Sequence, residues 1–305
     1  MSHNHYEEKC FNLITTLKTK IKKDNGFSGY LHAITGVLLV SVFFLVMVIT
    51  GWGNLYISIS YLGLIIAFAL AWIGATLYPD LDNSRSTSHS ALGLVGTGLS
   101  FVARGSSVIV QTVVRTSRDE SSPNPHRGFW HTPFSTILVG LGVWALTLLP
   151  QQIPLAILGT VTLGQIFATI ILAVMILFLL TALVANKMRK IRKMAIGGEL
   201  IAFAIALVVA IALMYFIPSN LGYAWLGVAI AAGGTTHIIG DTFTKDGPPF
   251  WFPLTGFVKK KFWWKTRFAR LTSGAKEVEK TISIACTVLS VIIIAITIFL
   301  AVTQG

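Results

Sequence analysis

The sequence predicts an all-α membrane protein, a polytopic helical bundle with about seven transmembrane helices. Of its 305 residues, 54% are hydrophobic and only 12% are charged, whereas a typical soluble domain is about 25% charged. Seven apolar segments have the length of about 20 residues that a helix needs to cross the core of a bilayer. This composition excludes a soluble globular enzyme, a disordered chain and a disulfide scaffold, and we expect Cys10 and Cys286 to be free thiols.

The predicted spans lie in one transmembrane domain, residues 31–303, which follows a cytoplasmic N-terminal segment, residues 1–30. Residues 153–162, just before the fourth span, are also apolar, and they either lengthen that span or lie along the membrane interface. The spans are residues 32–50, 55–77, 131–149, 163–185, 196–217, 222–240 and 281–303.

A further apolar stretch, residues 91–114, is interrupted by glycines, serines and Arg104. An arginine at the middle of a bilayer costs at least about 2.5 kcal/mol. We therefore predict that this stretch is an interfacial or re-entrant helical segment, formed by a pair of helices, and not a span.

The basic residues give the predicted orientation. All 24 lysines and arginines lie in alternate connections: five precede the first span, and five, five and nine lie in residues 78–130, 186–195 and 241–280. Because positive charge is retained on the cytoplasmic side, these segments and the N-terminus are predicted to face the cytoplasm, and the C-terminus the outside. The protein is predicted to lie in the inner or plasma membrane. The net charge of +12 then needs no nucleic-acid partner to explain it.

Two groups of polar residues fall where the first two predicted spans meet the cytoplasm. His32 lies where the first span begins, and Asp80 and Asp82 follow the helix-stopping Pro79 at the end of the second span. Each group alone has a simpler interpretation, an interfacial histidine in the first case and solvated acids in a helix-ending turn in the second.

Two further groups have spacings that suit a metal ion more closely. His126 and His131 flank Arg127 just before the third span, and Gly128 lets the backbone turn tightly between them. At the end of the sixth span, His237 and Asp241 are four residues apart and share one helix face. The simpler interpretations are a solvated basic turn and a hydrogen-bonded pair at a helix end.

The predicted topology brings all four groups to the same side of the membrane. Imidazole nitrogens and carboxylates suit Zn²⁺ best here, with Mn²⁺ or Fe as alternatives, and so many candidates exceed one tetrahedral shell, which indicates two or more ions. Clustered ions activate water and clamp both oxygens of a phosphoester, and the planar fork of Arg127 matches a phosphate. The candidate metal ligands are His32, Asp80, Asp82, His126, His131, His237 and Asp241.

The order of these motifs resembles the YdjM-like family of LexA-regulated, membrane-bound, metal-dependent hydrolases. The resemblance covers about residues 30–255 and includes the Thr244 and Gly247 that follow the last motif. That family is in turn similar to the zinc-dependent phospholipase C and single-strand nuclease superfamily. The resemblance implies a multi-metal site held by helices, a phosphoester substrate, and the seven candidate residues as ligands. Trp130, Asn83 and the long segment 153–217 depart from the family pattern.

We therefore expect a membrane-embedded metal-dependent hydrolase that cleaves a phosphoester of a membrane lipid at the cytoplasmic face. His89 is either a general acid near this site or a loop histidine. A metal or ion transporter and a non-catalytic scaffold with a structural metal are the alternatives. The transporter is disfavoured because no ionisable residue lies near the middle of a predicted span, and a serine hydrolase because the Gly-x-Ser-x-Gly motif is missing.

Overall fold

The computed structural model describes residues 28–50, 59–83, 86–117, 119, 128–155, 159–194, 198–217, 221–259, 262–269, 271 and 276–304. Within these residues the fold contains ten α-helices, two 3-10 turns and one short β-hairpin. The turns are the Asp80 turn (Tyr78–Asp82) and the His131 turn (Phe129–His131). The helices are α1 (Gly29–Ile49), α2 (Ile59–Ala75), α3 (Thr87–Ala91), α4 (Gly93–Val114), α5 (Pro133–Thr147), α6 (Leu163–Met194), α7 (Gly198–Phe216), α8 (Trp225–Thr242), α9 (Leu254–Lys259) and α10 (Lys276–Gln304).

Each of the seven predicted spans corresponds to a helix in the described part of the chain, so the all-α fold is confirmed. Shorter apolar helices cover Pro133–Thr147 and Leu200–Phe216. Four segments are long and apolar enough to cross a membrane: Gly29–Ile49, Tyr61–Asp82, Leu163–Leu183 and Glu277–Thr303. The total of seven spans and their orientation stay predictions.

The apolar segment before the fourth predicted span does not lengthen that helix. Strands β1 (Gln152–Leu155) and β2 (Gly159–Thr162) pair antiparallel, and α6 begins only at Leu163. Pro154 cannot supply the amide hydrogen that a helix needs, and the threonines and valine of β2 favour a strand. Of the two alternatives for residues 153–162, extension of the helix of the fourth span is therefore excluded.

The stretch 91–114 is helical, as predicted, but it forms one continuous helix and not a pair of helices. The break in the chain lies near the start of the stretch, between α3 and α4, where Gly93 has a φ of 54° in the left-handed region that glycine tolerates. Helix α4 packs against α3 and against both 3-10 turns. Its outer face exposes large apolar side chains, among them Phe101 (80% exposed) and Val113 (77% exposed).

Helix α2 lies at the centre of the bundle, where it packs against α1, α6, α7 and α8, while α5 packs on α8 and α10 packs on α1. Glycines allow the closest of these contacts. A Cβ atom added to Gly140 of α5 would lie 2.6 Å from the carbonyl oxygen of Gly227 in α8. A Cβ atom on Gly233 of α8 would similarly collide with the carbonyl of Trp72 in α2. These two contacts hold α8 backbone to backbone against α5 and α2.

Candidate metal centre

Five buried side chains meet at one end of the bundle. They come from the first turn of α1, the Asp80 turn, the His131 turn and the last turns of α8. The histidines and Asp241 are at most 1% exposed, whereas the side chain of Asp80 is 19% exposed and marks the open edge. We call this set the cluster, and its members are His32, Asp80, His131, His237 and Asp241.

Local sequence explains how the two turns present their ligand groups. Helix α2 ends at Ala75, and the Asp80 turn begins three residues later with Pro79 in its first positions. His131 is followed by Thr132, whose hydroxyl oxygen caps α5 by accepting from Ser135 N at 3.1 Å. Each cluster residue outside α8 is thus fixed at, or next to, a helix terminus.

The central atoms of the cluster have the spacing of ligands that share an ion. His131 Nε2 lies 3.3 Å from Asp80 Oδ1 and 3.8 Å from Asp241 Oδ2. His237 Nε2 lies 3.6 Å from the same two oxygen atoms. Two ligand atoms bound to a tetrahedral Zn²⁺ at their usual bond lengths are about 3.3–3.6 Å apart. The spacing of Asp80, His131 and His237 therefore fits one ion.

The hydrogen bond made by His237 fixes which of its nitrogens can bind a cation. His237 Nδ1 lies 2.7 Å from the carbonyl oxygen of Thr76. Because a carbonyl can only accept, Nδ1 carries the hydrogen, and in the neutral ring Nε2 has a lone pair. This lone pair faces two carboxylate oxygens at 3.6 Å, well beyond the about 2.7–2.9 Å of a bond donated by an imidazolium. A buried ring nitrogen that faces two carboxylate oxygens is a favourable place for a cation, so these residues fit a metal ion.

His32 extends the cluster on the other side of Asp241. Its ring stacks on that of His237 with centroids 3.8 Å apart, and its Nε2 lies 3.8 Å from Asp241 Oδ1. Two three-residue groups could hold an ion, one with His32, His237 and Asp241 and one with Asp80, His131 and His237. Since His237 has one nitrogen to offer, both groups cannot be complete at once. The two oxygens of Asp241 face different histidines and could bridge two ions.

Asp82 lies behind His131 and outside the cluster. Its Oδ2 atom is 3.7 Å from Nδ1 of His131, the nitrogen that points away from Asp80 and Asp241. Its side chain is completely buried. A carboxylate at the far nitrogen of a ligating histidine typically orients the ring and makes it more basic. The structure thus separates Asp82 from the residues with which the sequence had grouped it.

Three further predicted site residues remain: His89, His126 and Arg127. His126 and Arg127 lie outside the described residues. His89 is in the short helix α3, where its backbone N–H donates to Ser86 Oγ at 3.1 Å. In the described part of the chain, no hydrogen bond or ion pair joins the His89 imidazole to the cluster.

Helix α4 supports the His131 turn, a role that the sequence did not suggest. Ser107 Oγ accepts from Phe129 N at 2.9 Å, and Trp130 Nε1 donates to the carbonyl of Ala103 at 2.9 Å. Gly128 has a φ of −88°, which other residues adopt as well, but a Cβ there would collide with Ser107. The glycine is therefore required for close approach and not for a tight turn. A polar stripe on an otherwise apolar helix was the available signal: Ser100, Ser107 and Gln111.

Comparison of the chain with family models, curated proteins and solved structures gives no match. The similarity to the YdjM-like family accordingly rests on the order of the motifs. The fold and the cluster define the class at a coarser level, a helical protein with helices suited to a membrane and buried His/Asp groups that could hold a metal ion.

Proposed function

We propose that the protein is a membrane-embedded, metal-dependent hydrolase that cleaves a phosphoester of a membrane lipid. One observation carries the proposal: His237 Nε2 lies 3.6 Å from both Asp80 Oδ1 and Asp241 Oδ2 in a buried space. A nitrogen and carboxylate donor set suits Zn²⁺, with Mn²⁺ or Fe as alternatives. The two carboxylate oxygens of Asp241 lie near different histidines, which is compatible with more than one ion.

The residues of the cluster have separate tasks in this proposal. Asp80, His131 and His237 would hold one ion, and Asp241 lies between these residues and His32. When bound, divalent ions polarise a phosphoryl oxygen and activate water. The substrate approaches at Asp80, the one cluster side chain with substantial exposure. The roles of Arg127 as a phosphate-binding residue and of His89 as a general acid stay predictions from the sequence.

The surroundings of the cluster favour a lipid substrate. The outer face of α4, which packs against both ligand-bearing turns, exposes Phe101, Val102 and Ile109, the last two at 61% and 64%. An apolar face of this kind suits contact with acyl chains. A site at the end of a membrane bundle lies near headgroup depth, and the lysines and arginines assign that end to the cytoplasmic face.

Metal content per chain tests the proposal. Protein purified in detergent without chelators should contain at least one equivalent of Zn, Mn or Fe, and Asp241→Ala should lose most of it. Asp119→Asn is a matched control, because Asp119 is also a buried carboxylate but binds Trp263 N at 3.0 Å and Thr116 N at 2.8 Å. An equal metal content in wild type and Asp241→Ala, or no metal in wild type, would contradict the proposal.

A scaffold with a structural ion is the second candidate, since His131 and His237 have no exposed surface. Hydrolysis distinguishes the two. Metal-loaded protein should release phosphate or a phosphorylated headgroup from phospholipid vesicles, and Asp241→Ala should not. Full metal content with no hydrolysis of any phospholipid tested would favour the scaffold.

A further inference from the structure

Helix α4 has one charged residue, Arg104, in 22 residues. It lies on the inner stripe of the helix, at helical spacing from Ser100, Ser107 and Gln111, all of which are buried. Unlike these neighbours, Arg104 is exposed. A charge on an apolar helix near a membrane is costly and commonly marks a functional site. The position of this arginine therefore needs an explanation.

The guanidinium group of Arg104 is hydrogen-bonded to the Asp80 turn. Its Nε atom donates to the backbone carbonyl of Asp82, the last residue of that turn. The same turn carries Asp80, the most exposed ligand group of the cluster. Arg104 is thus bound to the turn that carries Asp80, through one of its five N–H groups.

The rest of the guanidinium is available for a ligand. Among the described residues, no carboxylate forms an ion pair with Arg104, and its terminal nitrogens make no hydrogen bond. A planar guanidinium binds two oxygens of a phosphate side by side, and it remains charged at all physiological pH values. A phosphoryl oxyanion is therefore the ligand whose geometry and charge fit this group.

We propose that Arg104 binds the phosphoryl oxyanion of the substrate at the edge of the metal centre. This inference rests on the proposed function and names a residue for substrate recognition within it. Helix α4 carries both an exposed apolar face and Arg104, which is bound to the same turn as Asp80. The oxyanion belongs either to a lipid headgroup or to free phosphate.

Calorimetry with two probes tests the proposal on the purified full chain. The probes are inorganic phosphate and dihexanoyl phosphatidic acid, a short-chain phosphomonoester lipid. Loss of a charge-assisted pair should weaken binding about tenfold or more in Arg104→Gln. Arg104→Lys keeps the charge but loses the planar fork, so we expect intermediate binding. Arg115→Gln removes an arginine just after the same helix and should change binding less than about twofold.

If Arg104→Gln weakens the binding of both probes, the ligand is assigned as the phosphate of a lipid headgroup. If it weakens only the binding of inorganic phosphate, the ligand is assigned as free phosphate. Unchanged affinity for both probes in Arg104→Gln, or no binding by wild type, would overturn the proposal. Should Arg104→Gln not fold, the Arg104→Lys comparison decides by the same criterion. Metal content is measured on every sample. A wild type that lacks metal refutes the proposed function, while the dependence of phosphate binding on Arg104 still decides this inference.

Discussion

The two ring nitrogens of His131 distinguish two aspartates that the sequence presents as equivalent. Asp80 lies 3.3 Å from Nε2, and Asp82 lies 3.7 Å from Nδ1. The lone pairs of an imidazole point in divergent directions, so one ion cannot be shared by both carboxylates through this ring. Asp80 is a candidate ligand, and Asp82 is a candidate positioning residue.

Asp82→Asn should therefore weaken metal binding without abolishing it. Loss of a carboxylate partner of a ligating histidine lowers metal affinity about 10- to 100-fold, whereas Asp80→Asn removes a ligand and should reduce the number of ions bound at saturation. Titration with a competing chelator measures both the affinity and the stoichiometry. Equal stoichiometric losses in the two variants would show that Asp82 is itself a ligand.

At the residue scale, the sequence predicts the histidines and aspartates that meet in the two possible metal-binding groups, but not how they are arranged. The i, i+4 spacing of His237 and Asp241 predicts a shared helix face, and their atoms do approach to 3.6 Å. The Thr76 carbonyl that orients His237 could not be predicted, because any residue type supplies such a group. The side of His131 that faces Asp82 depends on the packing of α4 and the turns, which no local spacing encodes.

Among the secondary-structure elements, the contact between α5 and α8 depends most directly on glycine. Gly140 and Gly227 each place a backbone carbonyl where the other's Cβ atom would be, at 2.6 and 2.5 Å. Gly142, two residues further along α5, has no atom within 4 Å of its Cβ position. The two glycines of α5 therefore form a matched pair, one in a helix contact and one facing open space.

Gly140→Ala and Gly142→Ala should change stability in opposite directions. The first forces the helices apart and should lower the free energy of unfolding by about 1–3 kcal/mol. The second should raise it by about 0.5–1 kcal/mol, because alanine loses less backbone entropy than glycine in a helix. Thermal unfolding in detergent measures both. A neutral or stabilising effect of Gly140→Ala would show that α5 and α8 are not in backbone contact.

Hydropathy was sufficient for the helices but not for the elements between them. An apolar run such as residues 153–162 has the same composition in a strand and in a helix, and the hairpin depends on pairing between β1 and β2. In α4, the internal glycines and serines suggested a broken helix. The break occurs at Gly93, before the stretch of open packing around Gly98 and Gly105.

On the scale of the whole molecule, the cluster brings together the ends of four helices, while the predicted topology stays a prediction. The start of α1, the end of α2, the start of α5 and the end of α8 meet at the cluster. Chain ends that alternate in this way place all four motifs on one side of a bundle. Which side of the membrane this is follows only from the distribution of lysine and arginine.

Cysteine accessibility tests the seven-span topology. In a chain whose native cysteines are replaced by serine, Asn54→Cys and Gln304→Cys should react with a membrane-impermeant maleimide in intact cells. Lys190→Cys should react only after the cells are permeabilised, because its loop is predicted to be cytoplasmic. Labelling of Lys190→Cys in intact cells would reverse the orientation. Opposite behaviour of Asn54→Cys and Gln304→Cys would change the number of spans.

The hydrogen bond from His237 to the Thr76 carbonyl gives this side chain a structural role beside its proposed role as a metal ligand. The Thr76 carbonyl follows the last residue of α2, where carbonyl groups have no partner within the helix. Natural selection on folding alone would therefore preserve this histidine, even in a lineage that had abandoned the chemistry. In related sequences, conservation of His237 alone would therefore indicate only that it caps the end of α2. Conservation of His237 together with Asp80 and Asp241 would indicate that the activity is conserved.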